Sequence, residues 1–166
     1  MAKFLAGHGF GVHSLSDVVR EEATRLGLDH TRDNLIQIGV RMRTQDGPGA
    51  LARRVIPLLG ARAVVDSIRN PGEVAELRRI ERFYLIGVDA PRPLRFERSL
   101  LRGRTGDGAT LEEFARKEAR ENSTTEAGQQ LMATLALADV RIDNEGTLES
   151  LHEKVRRTLA DLGVGL

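Results

Sequence analysis

The chain of 166 residues contains no cysteine, no tryptophan, one tyrosine and five phenylalanines. Without cysteine it can form no disulfide, thiolate zinc site or cysteine nucleophile, which fits a reducing compartment. With so few aromatics it has little to stack against a nucleobase. No apolar run approaches the roughly 20 residues that a membrane helix needs, and the amino-terminal residues hold no long apolar stretch of signal-peptide type. A cytoplasmic protein that does not enter the membrane is expected. The four histidines, His8, His13, His30 and His152, show no metal-binding spacing. Lysine is also scarce. Lys and Arg total 25, and only Lys3, Lys117 and Lys154 are lysine, which leaves 22 arginines.

What is present describes a globular protein of one domain: 40% apolar and 30% charged residues, enough length for a single core, and no low-complexity run. A formal net charge of +1 argues against a general polyanion binder. The arginine excess has two readings. It reflects codon usage in a GC-rich genome, or it supplies the planar, bidentate side chain suited to phosphate.

Along the chain, strand and helix patterns alternate. An extended piece at Val12–Ser14 leads into a helix from Asp17 to Leu26, stopped by Gly27. Thr31 is placed to cap a helix over Arg32–Arg43, and Ala50–Leu59 follows the turn signal Asp46-Gly47-Pro48-Gly49. Ala61–Asp66 reads as a short strand. A turn at Asn70-Pro71-Gly72 then opens a helix over Glu73–Ile80. Phe83–Asp89 is the strongest strand pattern, a continuous apolar run of the kind buried on both faces. Pro93–Arg102 reads as a helix, residues 103–109 as a polar loop, and Thr110-Leu111-Glu112-Glu113 as a capping box. A helix over Glu126–Ala136, a strand over Asp139–Asp143 and a helix over Leu148–Leu162 complete the chain.

Alternation of this kind implies parallel crossovers and an α/β layered sheet, with ligands at the carboxyl ends of the strands. Ser16-Asp17, Asp66, Asp89 and Asp143-Asn144 each follow a predicted strand, so these groups are expected on one rim. Taken singly, each could equally be an ordinary cap or turn residue.

The ordered set Ser14-Leu15-Ser16-Asp17-Val18-Val19-Arg20, Asp66-Ser67-Ile68-Arg69, Arg95/Arg98/Arg102/Arg104 and Ile142-Asp143-Asn144-Glu145-Gly146-Thr147-Leu148 resembles the landmarks of the P-loop nucleotide kinases. It is most similar to the dephospho-CoA-kinase-like and deoxynucleoside-monophosphate-kinase-like group, including archaeal nucleotide-binding members. The similarity of order runs from about residue 3 to residue 162. Each motif alone is weak, and the order is the more specific signal.

The resemblance implies a three-layer α/β fold, a parallel sheet flanked by helices, in one domain spanning residues 1–166 with a small helical lid over about 103–125. It also implies an ATP- and Mg²⁺-dependent kinase acting on a small nucleotide-like acceptor. In that family a strand, a G-x-x-x-x-G-K-[ST] loop and a helix come first. Here Lys3–Phe10, with GHGFG, matches the exit of that helix, with Gly7 or Gly9 as its cap, so the loop would lie before Met1. A rival reading takes Gly7–Ser14 as a decayed phosphate loop. Against it, Val12 and His13 stand where its second Gly and its Lys belong. A start codon set too far downstream and a true loss of the segment are the two explanations. The first strand would be central, between those ending at Asp66 and Asp89. Its absence would leave a gap, pair those strands directly, or require a borrowed strand.

By the same resemblance, Asp17 and Arg20 contact the acceptor, with Arg41 or Arg43 as weaker candidates. Asp66 meets Mg²⁺ through water or takes the acceptor's proton, and Arg69 clamps the acceptor's phosphate. Arg98 is also placed on the substrate, while Arg102 and Arg104 close over the transferring group. Asn144 and Gly146 line the donor adenine through their backbone. Two alternatives stay beside these roles: an i,i+3 ion pair for Asp17 and Arg20, and a solvated face with Glu97 and Glu113 as partners for Arg95 and its neighbours. A non-catalytic nucleotide-binding or regulatory relative is the competing function.

Overall fold

The computed structural model describes residues 1–103, 109–120 and 122–166. Most of its elements start and stop at local signals. Helix α1, Ala2–Ala6, ends at Gly7, and strand β1, Gly11–Ser14, follows. Helix α2, Leu15–Arg25, stops before Gly27, whose φ of +69° is open to glycine at little cost. Helix α3, Arg32–Asp46, is capped by Thr31, whose hydroxyl accepts from the Asn34 N–H. Helix α4, Ala50–Val55, passes into a 3₁₀ turn and then strand β2, Ala63–Asp66.

Helix α5, Pro71–Leu77, begins two residues earlier than the periodicity predicts. Asn70 caps it, accepting from the Gly72 N–H at 2.8 Å, while the Glu73 carboxylate accepts from the Asn70 N–H at 3.1 Å. Pro71 fills the first helical position, where no N–H is needed. Strand β3, Ile86–Asp89, precedes helix α6, Arg92–Arg102, which Gly103 closes at φ +60°. Helix α7, Leu111–Arg120, carries the predicted capping residues. The Thr110 hydroxyl accepts from the Glu113 N–H, and the Glu113 carboxylate accepts from the Ala109 N–H. Helix α8, Leu131–Ala136, strand β4, Val140–Asp143, and helix α9, Leu148–Asp161, follow, with Thr147 capping α9.

This is an α/β fold with short parallel strands, but the strands do not form one sheet. β1 pairs with β2 and β3 pairs with β4, both in parallel, and among the described residues no ladder joins β2 to β3. An open space lies between the two pairs. It is a cleft of about 1430 Å³ bordered by β2 on one side and β3 on the other.

The cleft also explains a shortened strand. Of the predicted run Phe83–Asp89 only Ile86–Asp89 is strand, and Ile86 and Val88 are half-buried rather than enclosed. Ahead of the strand, the Leu85 backbone is engaged by Asp139, which accepts from the Leu85 N–H at 2.7 Å. The helix expected over Glu126–Ala136 starts only at Leu131. Its first residues instead fold back: Asn122 bridges Gln130, and Asn70 donates to the carbonyls of Glu126 and Gly128.

Two apolar clusters hold the halves. Leu15, Val19 and Ala23 of α2 pack on Ile38 and Met42 of α3 and on Leu51 and Val55 of α4. Leu151, Val155 and Leu159 of α9 pack on Ile142 of β4 and Leu5 of α1. Each Val, Leu, Ile or Met side chain among them contributes roughly 1.5–3 kcal/mol when fully buried.

Candidate functional site at the strand ends

The parallel registers set Ser14 beside Asp66 and Asp89 beside Asp143. Asp66 and Asp89 both line the cleft, together with Ser67 and Arg95. Two of the four polar tips therefore face one cavity, and each of the other strand ends adjoins one of these by register.

At the β1–β2 end, polar side chains form an unbroken series. Arg20 donates to the Ser16 hydroxyl at 2.7 Å and to the Asp17 carboxylate at 2.8 Å. The hydroxyls of Ser16 and Ser14 lie 2.9 Å apart. Ser14 donates to Ser67 at 3.2 Å, and Ser67 donates to Asp66 at 3.1 Å. Ser67 holds φ +61°, a left-handed conformation that costs a non-glycine residue roughly 1–3 kcal/mol and is often found at functional sites. The predicted Asp17–Arg20 pair is thus formed, and the serines join it to Asp66.

At the β3–β4 end, two arginines of α6 act on the chain itself. Arg95 pairs with Asp89 at 2.8 Å, chelates both oxygens of Glu118 on α7, and donates to the Ala90 carbonyl. Hydrogen bonding to Glu118 pushes its pKa further up, so it stays a cation. Its partners are Glu118 and Asp89 rather than Glu97 or Glu113. Arg98 donates to the carbonyls of Asn144 at 2.7 Å and Gly146 at 3.0 Å, and the Asn144 N–H donates to the Asp89 carbonyl. The loop proposed for a donor base is therefore gripped by α6.

The other predicted residues are more scattered. Arg102 is the exposed last residue of α6, and Arg104 lies outside the described residues. Arg41 is exposed on α3 and does not line the cleft. Arg69 contributes its backbone N–H to Glu73 at 2.8 Å and its guanidinium to Gln129 at 3.3 Å. Arg43, the alternative to Arg41, is buried and donates twice to one oxygen of Glu73, at 2.9 and 2.7 Å. Burial pushes the Glu73 carboxyl up from its ordinary range, while Arg43 and the N–H groups of Arg69 and Asn70 oppose that rise. Sequence reasoning did not find this network, although Asn70-Pro71-Gly72-Glu73 has the spacing of a capping box.

Among the described residues no three His, Asp or Glu side chains gather into a metal cage. Asp66 by itself suits Mg²⁺, which keeps much of its water and takes one or two carboxylates besides phosphate oxygens. For a triphosphate the fit is incomplete, because the 166 residues contain no G-x-x-x-x-G-K-[ST]. No helix among the described residues is long and apolar enough to cross a membrane.

Comparison with known proteins now places the chain. It is 34% identical over 158 residues to a UPF0200 protein of Hyperthermus butylicus, covering 93% of this chain and 82% of the relative. This chain belongs to the UPF0200 family. A UPF0200 protein of Pyrococcus horikoshii is 30% identical over 171 residues, covering 98% of this chain and 89% of that one. Against a UPF0200/UPF0201 protein of Archaeoglobus fulgidus the identity is 35% over 162 residues, and there the chain spans about half, 49%, of the relative's length. No protein-family model matches the chain.

Proposed function

We propose that this UPF0200 protein takes part in phosphoryl transfer from ATP to a small nucleotide-like acceptor, a nucleoside monophosphate or a dephospho-CoA-like molecule, in the manner of the P-loop nucleotide kinases. The observation that carries the reading is the meeting of Asp66 and Asp89 on one cleft, with Asp17 and Arg20 hydrogen-bonded in series to Asp66. Such chemistry asks mainly for positioning and neutralised charge. ATP with Mg²⁺ would supply the phosphoryl group and the charge that balances it. Arg20, anchored by Asp17 and Ser16, binds the acceptor's phosphate, Asp66 faces the metal's water or the acceptor's proton, and Arg102 answers developing charge from the end of α6. The donor phosphates would be held by a loop outside these residues, and the strand carrying it would take the gap between β2 and β3.

The test is ATP consumption by a longer version that carries such a loop, against a panel of nucleoside monophosphates and dephospho-CoA. Turnover with one acceptor, lost in Asp66→Ala and Arg102→Ala, is expected, and rates unchanged by both substitutions refute the assigned roles. The same test separates a second reading, a non-catalytic nucleotide binder. Under it, calorimetry finds acceptor binding but no turnover in any version.

A further inference from the structure

We propose that Ser14, Ser16 and Ser67 form an ordered hydroxyl chain that orients the Asp66 carboxylate and reports to it the state of Arg20. The chain's direction follows from elementary donor counting. A guanidinium only donates, a carboxylate only accepts, and a serine hydroxyl has one proton to give. Arg20 donates to Ser16, and at the other end Ser14 donates to Ser67 and Ser67 to Asp66. Ser14 has then spent its proton, so the 2.9 Å contact between Ser16 and Ser14 must carry the Ser16 proton. Every hydroxyl gives once and accepts once, and a single arrangement satisfies all three.

Two features separate this chain from incidental polar packing. Ser14 occupies the cap position of α2 but makes no side-chain capping bond, so its hydroxyl serves the series instead. Ser67, at φ +61°, bridges Ser14 and Asp66 from a conformation that serine rarely adopts. Bonds in such a series polarise one another. With one Asp66 oxygen held by Ser67, the other is directed by default, and Ser14 and Ser16 become positioning residues for a carboxylate that Ser16 reaches only through its neighbours. An anion that draws Arg20 away from Ser16 removes the charged donor at the head of the series, so the bonds running from Ser16 to Asp66 lose its polarisation while Asp66, which only accepts, keeps their direction. Only this last step rests on the acceptor role given to Arg20 above.

The experiment follows the ¹³Cγ resonance of Asp66 in the purified protein at constant pH. Ser16→Ala is expected to displace it, although Ser16 and Asp66 are two hydroxyls apart, and the same change made in Ser14→Ala is expected to displace it by less than half as much. Ser14→Thr, which restores a hydroxyl, should restore the response, and it provides a folded comparison if Ser14→Ala is unstable. An Asp66 resonance indifferent to Ser16→Ala, or displaced equally with and without the Ser14 hydroxyl, overturns the proposal. Inorganic phosphate is then added. Displacement of both the Arg20 guanidinium and Asp66 resonances, with the Asp66 response lost in Ser16→Ala, is the expected result. A response at Arg20 that never reaches Asp66 counts against the chain. Phosphate that leaves Arg20 itself unmoved refutes its acceptor role, and the serine comparison still decides the chain.

Discussion

Replacing Arg43 by methionine should be among the most damaging single changes to this protein. The Arg43 and Glu73 side chains are 3% and 0% exposed, so the methionine variant would leave a carboxylate in the interior without its counter-charge. Breaking a buried pair in this way costs about 3–5 kcal/mol, against a total stability for such domains of about 5–15 kcal/mol. Two N–H donors, from Arg69 and Asn70, remain on the other Glu73 oxygen, which places the expectation near the lower end of that range. Urea unfolding followed by circular dichroism measures the loss. The pH dependence has a definite sign. Burial raises the folded-state pKa of Glu73 above its unfolded value, so stability from this group is fullest below the unfolded value and falls as pH rises through the folded one. Removing Arg43 raises the folded value further. The deficit of Arg43→Met should therefore be smaller at mildly acidic pH than at neutral pH, and the double variant Arg43→Met/Glu73→Gln should lose less than the sum of the singles. A deficit below about 1 kcal/mol, or one that does not change with pH, would refute this account.

Asn70→Ala removes the α5 cap and two donors to the carbonyls of Glu126 and Gly128, and should cost about 2–4 kcal/mol, read from the same urea midpoint. Gly87→Ala would bring a Cβ to 2.5 Å from Leu135 Cδ1 and 3.1 Å from Ala138 Cβ, an overpacking of about 1–3 kcal/mol visible as a lower thermal midpoint. Arg98→Ala frees the carbonyls of Asn144 and Gly146, so hydrogen exchange should quicken at residues 144–147 and stay unchanged in α2. Equal exchange in both proteins would show that Arg98 does not hold the loop.

Signals that act within a few residues were legible in the chain. Thr31 and Thr147 cap their helices, Gly27 and Gly103 stand at left-handed exits, and each strand ends at the polar residue expected of it. The Asp17–Arg20 pair was legible for the same reason, since three residues on a helix bring two side chains together. Misreadings occur where a distant segment competes. Asn70 captures the carbonyls of Glu126 and Gly128, so the predicted start of α8 becomes a fold-back. The contacts of Arg98 were illegible for the same reason, since its guanidinium donates to carbonyls 46 and 48 residues away.

The amino-acid order by itself thus determined the α/β alternation, the caps and the placing of polar groups at strand ends, because propensity, capping and periodicity are short-range effects. The tertiary structure alone decided that the strands divide into two pairs around a cleft, that Arg43 is buried on Glu73, and that Ser14 meets Ser67 across 53 positions of sequence. Those choices depend on which surfaces exclude water together and on which donors remain to be satisfied once they do.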